Sequence, residues 1–158
     1  MFAMNADFLE EAGRLAQAAV ERGEGGPFGA VIVSGGQIVS RGWNRVLLAC
    51  DPTAHAEIVA IREASRRLGR FHLADCQLYS SCEPCPMCLA AAYWARIPAI
   101  YYACTRADAA AAGFQDAALY RELARPTGDM QIRLARGESP AAEAAMAAWR
   151  ARPDRTPY

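Results

Sequence analysis

One histidine, one glutamate and two cysteines at fixed spacing constrain this chain more than any other feature: His55-Ala56-Glu57, then Pro84-Cys85-Pro86-Met87-Cys88. One imidazole and two thiolates supply three ligands of the kind that bind zinc, whereas a structural zinc site takes four protein ligands. A set of three leaves one coordination place to water. Glu57, two residues from His55, is then spare to handle that water's protons. The pattern asks for a fold that brings these two segments together around a metal with an open position.

The flanking residues say how. Ile58, Ile61, Ala64 and Leu68 recur at helical spacing after the start signals Asp51, Pro52 and Thr53, so residues 54–68 read as a helix with His55 and Glu57 in its first turn. Residues 77–81 read as a short strand and 85–95 as a second helix opened by Pro84 and Pro86. Cys85 and Cys88 then share one helical face, at a helix N-terminus where the dipole favours the thiolate. Cys82-Glu83-Pro84-Cys85 is an overlapping C-x-x-C, and spacing by itself does not separate the two pairs; a redox dithiol and a structural zinc knuckle are the competing readings. Cys82 belongs to the strand end, which favours Cys85 and Cys88 as the pair. Cys50, Cys76, Cys82 and Cys104 are expected to be small buried or half-buried hydrophobes, and His72, beside Phe71, a surface residue.

At 158 residues, 53% hydrophobic and 22% charged, the chain fits a single domain over 1–158 with a proper core. No apolar run of about 18 residues supports a membrane role. With no signal peptide and six cysteines, a reducing cytoplasm is expected rather than disulfides. Net charge is zero and no arginine cluster reads as a phosphate-binding footprint, which disfavours nucleic acid as a partner. All 17 basic residues are arginine, which excludes Schiff-base lysines and Walker A loops.

The remaining elements follow from periodicity and turn residues. Residues 7–22 form an amphipathic helix ended by Gly23 and the Gly25-Gly26-Pro27 turn. Residues 28–34 and 37–43 are strands joined at Gly35-Gly36, a hairpin signal. Residues 99–104 read as a buried strand, 113–123 as a short helix, 130–135 as a weaker last strand and 140–150 as an Ala-rich helix. A hairpin followed by helix, strand, helix, strand implies an α/β fold with a mixed sheet and helices on both faces.

The order H-x-E then P-C-x-x-C is the signature of zinc nucleobase deaminases, with the glutamate as general acid and base. The chain resembles the cytidine-deaminase-like superfamily, and most closely the bacterial zinc-dependent guanine deaminases. The likeness is carried by 25–30, 51–57, 81–88, Tyr93-Trp94-Ala95-Arg96, Gly113-Phe114-Gln115-Asp116 and the final Tyr158. It implies a three-layer α/β/α fold around a five-stranded sheet. It also implies a homodimer whose C-terminal segment, about 137–158, is swapped onto the partner and closes its site.

Carried over residue by residue, the resemblance implies one zinc per chain on His55, Cys85 and Cys88, Glu57 as proton shuttle and Asp116 as a catalytic polar contact near the exocyclic amine. It further implies that Asn44 and Ala56 contact the purine, that Phe28 and Trp94 wall the pocket, and that Tyr158 is a lid. Gln115 stands where relatives often carry an acid, so only Asp116 is carried over. The implied reaction is hydrolysis of guanine to xanthine and ammonia, with a purine base as partner. Gly42-Trp43-Asn44-Arg45 also resembles tRNA adenosine deaminases. That activity, a related amino-purine, nucleoside or aminotriazine, and a non-catalytic zinc-stabilised interaction module are the alternative readings.

Overall fold

The structure, a computed structural model, describes residues 3–157 and divides into two compact units, one through Arg121 and one from Glu122. The first unit is built on a four-stranded sheet in the order β2-β1-β3-β4, with β1 Gly29–Ser34, β2 Gln37–Trp43, β3 Cys76–Cys82 and β4 Ala99–Cys104. β1 pairs antiparallel with both β2 and β3, and β3 pairs parallel with β4, so the sheet is mixed. Gly35 and Gly36 both take positive φ, 56° and 77°, as the tight β1–β2 hairpin requires.

Strand alternation divides the core. Val31 and Val33 of β1 join Tyr79 on one face, under Phe8, Leu9 and Leu15 of α1 (Ala6–Glu21). Ala30 and Ile32 face the other way, with Leu78, onto Ala60, Ile61 and Ala64 of α3 (Ala56–Leu68) and Ala92 of α4 (Pro86–Trp94). The expected three layers are therefore present. α3 lies unusually close to the sheet: a Cβ on Gly42 of β2 would stand 2.2 Å from the Ala56 carbonyl oxygen. Only glycine allows this approach, and it fixes the start of α3, with His55, over the end of β2.

Two short helices escaped the sequence reading. α2 (Val46–Ala49) is a single turn. α5 (Arg106–Ala111) carries a full capping box, in which Asp108 N–H donates to Thr105 Oγ1 and the Asp108 carboxylate accepts from Thr105 N–H. α6 (Asp116–Leu123) starts three residues later than the expected 113. Cys76 and Cys82 are buried as expected, whereas Cys50 and Cys104 are exposed. Cys50 caps α2 in the left-handed conformation, φ 49°, which holds it at the surface. His72 is half-buried, its ring edge-on to Phe71.

The second unit holds a 3-10 turn at Thr127–Asp129 and α7 (Pro140–Ala151), started by Ser139 Oγ accepting from Ala142 N–H at 3.2 Å. The strand expected at 130–135 does not form, so the sheet has four strands rather than five among the described residues. Ile132 and Leu134 alternate with polar residues as a strand would, but remain 70% and 61% exposed. Alternation supplies a face; a strand also needs a neighbouring ladder, and the described residues of this unit include no strand to pair with. No described helix is long and apolar enough to cross a membrane.

Candidate active site

Both ligand-bearing segments place their first ligand at a helix N-cap. His55 is the N-cap of α3 and Cys85 that of α4, both extended in backbone conformation, and neither side chain makes a capping hydrogen bond. A position that ordinarily takes Ser, Thr, Asp or Asn here leaves an imidazole and a thiol free to turn away from the helix. The expected helices, 54–68 and 85–95, began two residues and one residue earlier, a boundary shift that leaves the geometry intact. Pro86 at the first helical position then brings Cys88 alongside Cys85.

His55 Nδ1 lies 3.6 Å from Cys85 Sγ and 3.5 Å from Cys88 Sγ, and the two sulfurs are 3.6 Å apart. Ligands on a tetrahedral zinc, roughly 2.3 Å from sulfur and roughly 2.1 Å from nitrogen, stand roughly 3.5–3.8 Å from one another. The triangle therefore fits that ion, and its donor set of one imidazole and two thiols suits zinc. Cys82, the competing thiol, is directed to the Thr105 carbonyl at 3.5 Å, and burial pushes it up to about 11. Hydrogen bonding from Cys88 and His55 holds Cys85 down at about 4. Cys88, against that first thiolate and buried, is raised. One thiolate thus forms readily and metal charge is what the second requires.

Glu57 stands in the first turn of α3, buried at 6% exposure. Ser80 Oγ donates to its Oε1 at 3.3 Å, and its Oε2 lies 3.4 Å from Cys88 Sγ. Burial raises its pKa above the usual carboxylate range, so it exchanges protons closer to neutrality than a solvated acid would. It is not one of the three ligands and faces the same space they do.

That space is a cavity of about 430 Å³ bordered by His55, Glu57 and Cys85 on its metal side. Opposite stand Gly25, Gly26, Phe28, Asn44, Phe114 and Asp116. Phe28 and Phe114 meet edge to face with centroids 4.7 Å apart. Asn44 is buried, and its Oδ1 accepts from Val46 N–H at 3.2 Å and Gly26 N–H at 3.4 Å. Those bonds fix the amide's orientation and leave Nδ2 as its donating end. Gly25 must be glycine, since a Cβ would lie 2.2 Å from the Asn44 carbonyl oxygen. Asp116 is raised by burial and by the negative charge of Cys85. A larger cavity of about 530 Å³ beside α1 and α5 contains no histidine, so chemistry rather than volume selects the site.

The structure thus brings His55, Cys85, Cys88, Glu57, Asn44, Phe28 and Asp116 to one place. Trp94 does not border the cavity: it is 63% exposed on α4, edge-on to Tyr93, and the aromatic packed against Phe28 is Phe114. α4 is apolar nearly all round, so its sequence could not say which side faces the cavity. Ala56 is buried at the start of α3 and does not border the cavity, its carbonyl being turned to Gly42. Tyr158 lies outside the described residues. Phe114 and Glu83 were missed as lining residues. Phe114 follows Gly113, whose φ of 95° turns the chain after α5, and that glycine was the available signal.

A mixed sheet with a histidine and two cysteines at two helix N-termini, and a buried non-ligand glutamate facing them, defines a zinc-dependent hydrolase of the nucleobase-deaminase type. Residues 3–104 match the cytidine and deoxycytidylate deaminase zinc-binding region, and the chain belongs to that family. It is 54% identical over 125 residues to a guanine deaminase of Bacillus subtilis, spanning 79% of this chain and 80% of that protein. The X-ray structure of a Bacillus subtilis guanine deaminase superposes with a TM-score of 0.93 at 46% identity, over 99% of each chain. A tRNA-specific adenosine deaminase of Aquifex aeolicus is 47% identical over 95 residues, 60% of this chain and 62% of that one.

Proposed function

We propose that this chain hydrolyses guanine to xanthine and ammonia. The carrying observation is the buried Glu57 carboxyl facing an incomplete ligand triangle inside a cavity walled by two phenylalanines, with Asn44 and Asp116 as polar anchors. Bound at His55, Cys85 and Cys88, zinc supplies Lewis acidity that lowers the pKa of water from about 15.7 towards about 7.

The remaining work belongs to the chain. Glu57 takes one proton as the water oxygen bonds to C2 of the base and delivers it to the adjacent ring nitrogen; it then takes the second proton from the new C2 hydroxyl, which becomes the carbonyl, and gives it to the amine as the C2–N bond breaks. Such a shuttle contributes roughly 10² to 10⁴ in rate. Ser80 holds one oxygen of that carboxyl so that the other meets the reacting water. Phe28 and Phe114 offer apolar surface to the flat purine, Asn44 Nδ2 donates to a ring acceptor, and Asp116 accepts from the exocyclic amine. Tyr158 closes over the base from the C-terminus.

The working form is a homodimer, with the segment from about residue 137 exchanged between chains. Support comes from large apolar side chains left exposed in one chain, Leu89 and Tyr93 of α4 and Met146 and Trp149 of α7. A reducing cytoplasmic setting suits two thiolate ligands and six unpaired thiols. Ammonia release from guanine, adenine, cytosine, guanosine, ammeline and a tRNA anticodon loop tests the substrate. Guanine should be fastest and insensitive to salt; inosine formation in the tRNA with steep salt inhibition would move the assignment to the tRNA reading.

A further inference from the structure

Glu83, Arg106 and Tyr120 form a closed network beside the site that the chemistry above does not use. Glu83 stands two residues before Cys85 and borders the cavity. Its Oε1 accepts from Arg106 Nη2 at 2.5 Å and its Oε2 from the Arg106 backbone N–H at 3.0 Å. Its own N–H donates to the Cys104 carbonyl at 2.8 Å. The Arg106 guanidinium lies 3.9 Å from the Tyr120 ring centroid, and the Tyr120 hydroxyl donates to the Pro84 carbonyl at 2.8 Å. The circuit leaves the metal-ligand loop at Glu83 and returns to it at Pro84.

Tyr120 follows Asp116 by four residues on α6, about one helical turn, so the two side chains share a face. No residue of α6 is buried. Core packing, which fixes α3 and α4 to the sheet, therefore does not locate this helix, and a cavity acid carried on it depends on specific polar ties. The ion pair is open to solvent on its arginine side and so contributes modestly to stability; its value is geometric, because a displacement of about 1 Å at a reacting centre costs about 10² in rate.

We propose that Glu83, Arg106 and Tyr120 are positioning residues that clamp α6 to the Glu83–Cys85 loop and so hold Asp116 at the distance from the metal ligands that the exocyclic amine of the base requires. The Asp116 role rests on the purine reading above; the clamp itself is a property of the fold.

Two measurements test it. In a Glu57→Gln background, which binds base without turning it over, Tyr120→Phe and Arg106→Ala should each weaken guanine binding about tenfold with zinc still at one per chain. The same substitutions added to Asp116→Asn should weaken it no further, because the effect runs through Asp116. An equal loss in both backgrounds, or no loss in either, overturns the clamp. Independently of any substrate, Tyr120→Phe should speed amide hydrogen exchange across residues 115–121 while α3 and α4 keep wild-type protection. Unchanged exchange there refutes the clamp, whereas failure of the wild-type chain to release ammonia from guanine refutes only the substrate assignment.

Discussion

α3 and α7 are similar in length and periodicity and opposite as structures. They run 13 and 12 residues, and both carry an apolar stripe. α3 buries six residues, including Glu57, and rests its backbone on Gly42; α7 buries none and leaves Met146 64% and Trp149 41% exposed. Helical periodicity and a clean N-terminus make a helix. Whether its stripe becomes core depends on a complementary surface, which β1 and β2 supply to α3 through small residues at Ala30 and Gly42, met by Ala60 and Ala64 of the helix itself. Chemistry that needs a buried carboxylate can sit on the first kind of helix and not on the second.

The largest effect separates the two regions outright. Cys85→Ala or His55→Ala should abolish turnover, lose zinc by elemental analysis and lower the melting temperature, since metal binds only the folded site. Cys82→Ala should retain metal. Zinc lost with Cys82→Ala but kept with Cys88→Ala would reverse the choice of cysteine pair.

Glu57→Gln should retain zinc and fold while turnover drops by about 10² or more. An active Glu57→Gln enzyme is incompatible with the proposed proton shuttle. At the other end of the chain, deleting residues 156–158 should leave zinc and dimer in place and cut kcat/KM about tenfold by admitting water to the site. Wild-type kcat/KM after that deletion would make the terminus a bystander.

Stability gives the next contrast. Gly42→Ala pushes a methyl into the Ala56 carbonyl, so chemical denaturation should show a loss of about 1–3 kcal/mol, with α3 and the His55 ligand the elements displaced. The smallest effect belongs to α7: Trp149→Ser should leave helicity and zinc unchanged and shift the dimer towards monomer in sedimentation at low concentration. A variant that stays dimeric would show α7 to be solvated on all sides.

Much of this was readable beforehand, and the exceptions have specific causes. The hairpin at Gly35-Gly36 was legible because a two-glycine turn has a strong local signal; residues 99–104 form the expected strand but lie at the sheet edge, half-buried to exposed rather than buried, because an apolar run does not say how many neighbours a strand has. The 130–135 strand was misread because alternation states which residues share a face and says nothing of a partner ladder. Trp94 stands on the exposed side of α4, and an all-apolar helix does not declare which side that is. Phe114 was missed because a loop aromatic has no period at all.

The sequence by itself determined the kinds of donor and the spare acid, since imidazole, two thiols and a carboxylate at that spacing have few other uses, and it determined the order of the main helices and strands on either side of them. Only the tertiary structure decided that Cys88 rather than Cys82 completes the triangle with His55 and Cys85, that Glu57 is buried against it, and that Asp116 reaches the cavity while Trp94 does not. Those outcomes depend on how closely backbones approach at Gly25 and Gly42 and on which face of α4 meets the sheet. Such distances are set between segments far apart in the chain, where local propensity has no term.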